Sequence, residues 1–243
     1  MHGLGTIINV IAILLAGLIG SLIRGGLPER FQKIVSTAIG LVVMFMGVAE
    51  ALAKMITIED GKLNAGGTLV VLFSLVLGAV AGELINLDGL TFKFGEWLKR
   101  KTGNEKDHKF VDAFVDTSLT VCIGAMAIMG SLMDGLTGDY SILLTKGIID
   151  FITVLVLTTS MGRGCAFSAI PVALLQGVIT ALASVLSPIL TDAVMDNIIM
   201  VGSILIFCVG LNILLADKFR IKVANLLPSV IFAGVATLIP FLG

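Results

Sequence analysis

The chain has 243 residues, 57% of them hydrophobic and only 14% charged, with a mean hydropathy of +1.07. A soluble domain carries about 25% charged residues, so this composition excludes one and indicates a membrane protein. A net charge of −1, two histidines and three scattered cysteines exclude a nucleic-acid partner, a metal site and a disulfide framework.

A membrane span needs about 20 apolar residues, each rising about 1.5 Å. Eight segments reach or approach that length: Gly5–Ile23, Ile34–Ala53, Gly66–Ile85, Phe110–Leu136, Ile142–Met161, Cys165–Leu186, Ile198–Leu215 and Leu226–Leu242. Each is expected to be a helix, because an unclosed strand leaves backbone groups unpaired in lipid. The expected fold is all-α: a polytopic transmembrane helical bundle of about eight spans, forming a single integral membrane domain over residues 1–243. No lysine or arginine precedes Gly5 and no small-x-small site follows Ile23, so the first segment reads as a retained span.

With eight spans, 13 of the lysines and arginines collect on one side and 3 on the other. The basic side is the cytoplasmic one, which puts both termini outside the inner membrane. A re-entrant break at Ser160–Cys165 would leave seven spans and weaken the split to 9 against 6. Between the third and fourth spans, residues 86–109 place Leu87, Leu90, Phe94, Trp97 and Leu98 at helical spacing, with Lys93, Glu96 and Arg100 on other faces. That pattern predicts an amphipathic cytoplasmic connector lying in the headgroup layer.

Sliding Gly5–Ile23 onto Gly67–Ile85 gives six identities in 19 positions. A second echo joins Leu27-Pro28-Glu29-Arg30-Phe31 to Leu215-Ala216-Asp217-Lys218-Phe219. Both link segments an even number of spans apart, so they describe a weak parallel internal repeat and not an inverted one. Small residues stand at close-packing spacing at Ala16 and Gly20, Gly17 and Ser21, Gly78 and Gly82, and Gly202 and Gly210. Such faces pack helices within one bundle, with a homodimer face as the alternative.

Asp150 stands eight residues into the fifth span, about 12 Å along its helix. An aspartate there costs roughly 2.5–3.5 kcal/mol to insert. Lys146 lies one turn earlier on the same face. The pair either neutralises itself as a structural element or presents Asp150 to a cation, a proton or a basic group of a solute. Gln176, Ser168, Asn9, Asn197 and Asn212 are the polar groups placed to join such a site, each with an interhelical hydrogen bond as its alternative role. Pro171 is expected to kink the sixth span and free a carbonyl, and Gly162 and Gly164 supply backbone freedom at the turn that Arg163 anchors. Glu50, Glu83 and Asp134 fall near span ends, where solvation is cheap, and Asp112 and Asp116 suit the start of the fourth helix.

The chain resembles the YdfK/YqgA-like family of bacterial membrane proteins of unknown function. The likeness is carried by GSLMDGLTGDYSILLTKGIID from Gly130, and continues through Gly162, Ser168 and Gln176. Supporting pieces are Gly5-Thr6 with Asn9, Leu27-Pro28-Glu29-Arg30 and Asn225-Leu226-Leu227-Pro228. Within the resemblance, the family pattern falls on Gly135, Gly138, Asp139, Ser141, Lys146, Asp150, Ser168 and Gln176. It implies a bacterial cytoplasmic-membrane protein and no particular substrate.

The residues favour a secondary transporter or permease for an ion or small polar solute. The alternative is a membrane scaffold or sensor acting through residues 86–109. An enzyme is not expected: the chain has no nucleophile–base pair, Walker-type loop, haem or flavin signature or HExxH, and it calls for no cofactor. The expected partners are the lipid bilayer and an unknown small solute or ion.

Overall fold

A computed structural model describes residues 2–25, 28–59, 62–215 and 219–238. Leu27 of the first echo, Ala216, Asp217 and Lys218 of its counterpart, and the eighth expected span beyond residue 238 lie outside the described residues.

Three helices, α1 (Leu4–Arg24), α2 (Glu29–Met55) and α3 (Thr68–Ile85), fall on the first three expected spans. Between α2 and α3 sits an antiparallel hairpin, β1 (Ile56–Glu59) and β2 (Lys62–Ala65), which pairs Ile56 with Ala65 and Glu59 with Lys62. The β-branched run Ile56-Thr57-Ile58 favours extended backbone, a signal outweighed in the sequence by the longer apolar runs beside it. Helix α4 (Leu87–Lys101) is the expected amphipathic connector, started by Asn86, whose side-chain oxygen accepts from the Gly89 amide.

The fourth expected span is two helices, α5 (Phe110–Cys122) and α6 (Ala125–Thr137), bent by 60° at the break. Gly124 adopts φ 156° and ψ 151° at that break, a conformation that side chains rarely permit. The fifth span is the continuous α7 (Ser141–Met161). The sixth begins as a 3-10 helix (Arg163–Ser168), continues as α8 (Ala169–Ala181) and ends in the single turn α9 (Ala183–Leu186). Pro171, expected to kink the span, is the third residue of α8, just after the 3-10 helix gives way to it, so its missing amide takes no hydrogen bond from within α8. The interruption comes earlier, at Gly162, with φ 119°.

Helix α10 (Asp192–Leu215) starts six residues before the expected seventh span. The last apolar segment is α11 (Val223–Leu226) followed by α12 (Pro228–Ala236), with Pro228 at the first position of α12. Among the described residues, six helical segments are long and apolar enough to cross a membrane, and a seventh joins them if α5 and α6 count as one bent span. The eighth expected span is the shorter Val223–Ala236 among the described residues. The protein is thus an all-α helical membrane bundle.

Small residues hold the bundle together, because between helices in lipid the packing itself supplies the attraction. Helix α1 lies along α7: a Cβ on Gly20 would come 2.7 Å from Thr158 Cβ and 2.8 Å from the Leu155 carbonyl. Helix α2 lies along α10, where a Cβ on Gly47 would meet the Phe207 nitrogen and the Ser203 oxygen at 2.6 Å. Gly78 and Gly82 seat α3 against Ser229 and Asn225. In the alignment of α1 with α3, Ala16 and Gly20 correspond to Gly78 and Gly82, and all four are buried. Helix α5 runs through the core, buried from Phe110 to Leu119 except for half-buried Asp112.

The basic connections gather at one end. There Arg24 donates to the Ser160 carbonyl at 2.6 Å, favourably placed at the C-terminus of α7, and Arg220 pairs with Asp112. At the opposite end Lys54 pairs with Asp196 at 2.5 Å.

Candidate functional site

The four-residue spacing of Lys146 and Asp150 on α7 brings Lys146 Nζ to 2.6 Å from Asp150 Oδ2. Their side chains are only 8% and 6% exposed. Desolvating two charges costs several kcal/mol per ion, so the pair needs further polar contacts to be tolerable. Two neighbouring elements provide them.

From α1, Asn9 Nδ2 donates to the same Asp150 oxygen at 3.0 Å. Gly147 lies directly against the Asn9 backbone, which lets α1 approach. From α5, the Val121 carbonyl accepts from Lys146 Nζ at 2.8 Å. The last four carbonyls of a helix have no intrahelical partner, so the break after Cys122 frees this acceptor in the bundle interior. A cation at a helix C-terminus is also favoured by the helix dipole. The break in the fourth span and the lysine in the fifth therefore explain one another.

The pair borders a cavity of about 510 Å³ between α2, α7 and the α5–α6 break, with Thr120, Thr153 and Glu50 as its other polar residues. Most of the remaining lining is aliphatic. Ser203 on α10 donates to Glu50 at 3.0 Å. Discontinuous helices bordering a cavity near mid-membrane are a recurring way of offering backbone carbonyls and charged side chains to a small solute.

The other expected site residues divide. Ser168 and Gln176 are almost fully buried on one run of the sixth span, and neither the Ser168 hydroxyl nor the Gln176 amide finds a hydrogen-bond partner among the described residues. Helix α8 packs against α1 and α6, so Gln176 belongs to the interior of the same half of the bundle as Asn9. Asn212 does not join the Asp150 site: it clamps the chain after α10, donating to the Ile221 carbonyl at 2.9 Å and accepting from the Ile221 amide at 2.8 Å. Asn197 stands beside Asp196 at the other end of α10, by the ion pair with Lys54. Gly164 is packed on the Phe110 backbone and Gly162 on Arg24 and Asp107, while Arg163 is exposed, so the turn lies at the basic end.

Three residues carry more than the sequence indicated. Asp134 is not a solvated end residue but 0% exposed; its carboxylate accepts from the Gly3 and Gly5 amides at 3.1 and 3.0 Å and so caps the N-terminus of α1. Asn225 ties three elements, accepting from the Asp88 amide at 2.6 Å and donating to Glu83 at 2.5 Å. Asp116, expected to suit the start of the fourth helix, is 4% exposed. Asp134 and Asn225 lie in runs that carry the family resemblance, the stretch from Gly130 and the Asn-Leu-Leu-Pro run, while Asp116 lies in neither.

Comparison with known proteins agrees with that resemblance. The family model described as "Protein of unknown function (DUF554)" matches residues 4–238. The "Uncharacterized membrane protein YdfK" of Bacillus subtilis (strain 168) is 31% identical over 231 residues, covering 95% of this chain and 94% of its own. The "Uncharacterized protein YqgA" of Escherichia coli (strain K12) is 27% identical over 234 residues, with the same coverage of 95% and 94%. No solved structure matches the chain.

Proposed function

The chain belongs to the DUF554 family of proteins of unknown function, and on that premise we propose that it is a secondary transporter or permease. Its cargo is an ion or small polar solute crossing the bacterial cytoplasmic membrane, with no covalent chemistry. The observation that supports this reading most is the buried Lys146–Asp150–Asn9 cluster joined to a carbonyl at a broken span and bordered by a cavity. A purely structural ion pair has no need of a cavity beside it. The pair is the exchangeable element: a cation or proton on Asp150 releases Lys146, and Val121 holds the lysine while it is released. The basic end is cytoplasmic under this reading, by the rule that lysine and arginine stay inside.

The test is uptake into liposomes by the purified full-length chain, with a pH-sensitive dye inside and a panel of labelled monovalent cations and small polar solutes outside. Asp150→Asn, close to isosteric, is expected to abolish the uptake seen in the wild type while the protein elutes from size exclusion unchanged. Full uptake by that variant removes Asp150 from the mechanism.

The alternative, a scaffold or sensor acting through residues 86–109, draws on α4. That helix buries Gly95 and Leu98 and leaves Trp97 48% exposed, stacked on Phe94 with ring centroids 5.6 Å apart. Its last turn carries Lys99, Arg100 and Lys101. Under this reading, charge reversal of those three residues abolishes partner or anionic-lipid binding and leaves any uptake untouched.

A further inference from the structure

A second cavity, of about 690 Å³, lies at the basic end between α1, α2, α5, α7 and α10. Arg24, Lys33, Lys109 and Arg220 line it together with Glu29 and Asp112, and at its buried extreme it reaches Asp116. Arg24 and Arg220 are already engaged by the Ser160 carbonyl and Asp112. Asp116 is different. It is 4% exposed, and its Oδ1 has no hydrogen-bond donor among the described residues. A buried carboxyl oxygen left without a donor costs free energy, so its position calls for a reason.

The reason suggested by the geometry is where Asp116 stands between the two cavities. Asp112, Asp116 and Thr120 recur at four-residue spacing along one face of α5. Asp112 and Asp116 line the basic-end cavity, while Thr120 and Val121 line the central one. The same hand-over occurs on α7 between Ser160 and Val156, one turn apart. The two cavities therefore succeed one another along α5 and α7. Asp116 stands one turn, about 6 Å, from Thr120. Thr120 donates its hydroxyl proton to the Asp116 main-chain carbonyl at 2.8 Å and keeps lone pairs free to accept.

We propose that Asp116 is a proton-exchanging carboxyl that relays protons between the basic-end cavity and the Lys146–Asp150 site. The relay role, though not the proton exchange itself, rests on the transport reading above. Asp116 takes a proton from hydronium in the basic-end cavity, leaving water, and returns it to water on the central side. A proton fits better than a metal ion because it needs only one oxygen, and no group of three or more metal-ligating side chains exists among the described residues. The charged and titratable groups that bear on Asp116 are Arg24 from α1, Glu29 and Lys33 from α2, and Lys109 and Asp112 at the start of α5. Arg220 follows α10, and Asp88 on α4 acts on it through space.

The test is infrared difference spectroscopy of the full-length chain in liposomes, following the protonated-carboxyl stretch through a pH titration, with dye-reported proton flux in parallel. The wild type is expected to show a titrating carboxyl band that Asp116→Asn deletes and Asp150→Asn leaves in place, and Asp116→Asn is expected to lose proton flux. A titration unchanged in Asp116→Asn overturns the proposal whatever the flux. A band that vanishes in Asp116→Asn from a wild type that moves neither protons nor solutes upholds proton exchange at Asp116 and overturns the transport reading. If Asp116→Asn fails to fold, Asp116→Glu decides: a displaced band upholds the assignment and an undisplaced one overturns it.

Discussion

Asp150 and Asp116 are each 4% exposed, and each sits on a helix in the interior of the bundle. Asp150 meets a lysine and an asparagine, and the lysine is held in turn by a carbonyl from a broken helix. Asp116 has a carboxyl oxygen with no donor at all among the described residues, and it faces the more polar of the two cavities. Burial alone therefore does not say what an intramembrane acid does. The partner set does: at Asp150 an incoming cation or proton has to displace Lys146, whereas Asp116 has an oxygen open to a proton as it stands.

The largest effect expected from this contrast comes from removing one half of the saturated pair. Lys146→Met leaves Asp150 buried without its counter-charge and is expected to destabilise the fold by about 3–5 kcal/mol, measured by unfolding in mixed micelles. The double variant Lys146→Met with Asp150→Leu is expected to recover most of that loss. A double variant as unstable as the two single ones combined would mean that the two side chains do not depend on one another.

Asn9→Leu removes only one donor from Asp150 and is expected to cost about 1–3 kcal/mol in the same assay. Asp116→Asn takes away no donor to Oδ1 among the described residues, so its stability is expected to change by less than about 1 kcal/mol. A loss comparable to that of Lys146→Met would show Asp116 to be as firmly held as Asp150, and the contrast would dissolve.

The smallest effect concerns an acid that water can reach. Asp139, in the turn before α7, accepts from the Ser141 amide at 3.0 Å, and that bond holds its carboxyl below the ordinary aspartate value. A carboxyl lowered in the folded state contributes stability above its unfolded value and loses it as pH falls through the folded one. Asp139→Ala is thus expected to lower the thermal midpoint slightly at neutral pH and not at all in strong acid. A deficit that persists in acid would point to a packing role.

Part of this site was legible from spacing. Lys146 and Asp150 share a face by helical periodicity alone, and Asn9 stood out as an amide inside an apolar run. The break that completes the site did not stand out. Phe110 to Leu136 is one apolar run, and Gly124 is one of 28 glycines in the chain, so nothing local marks it as the bend. Asp134 was misread for a related reason. A position near a span end suggests water, but the group that buries it is the start of α1, 129 residues away in sequence. Asn212 and Pro171 show the converse, residues of the right type for a site whose surroundings assign them to a loop clamp and a first helical turn.

Composition and hydropathy by themselves determined that this is a helical membrane protein, since lipid offers no partner for an unpaired backbone group. They also placed most of the long helices and put Lys146 and Asp150 one turn apart. Where the fourth and sixth spans break, which residues join the pair and which acid is left without a donor were decided only by the tertiary structure. Each of those outcomes turns on close approach between distant segments, such as Asn9 and Asp150 at 141 residues' separation, and helical periodicity extends no further than its own helix.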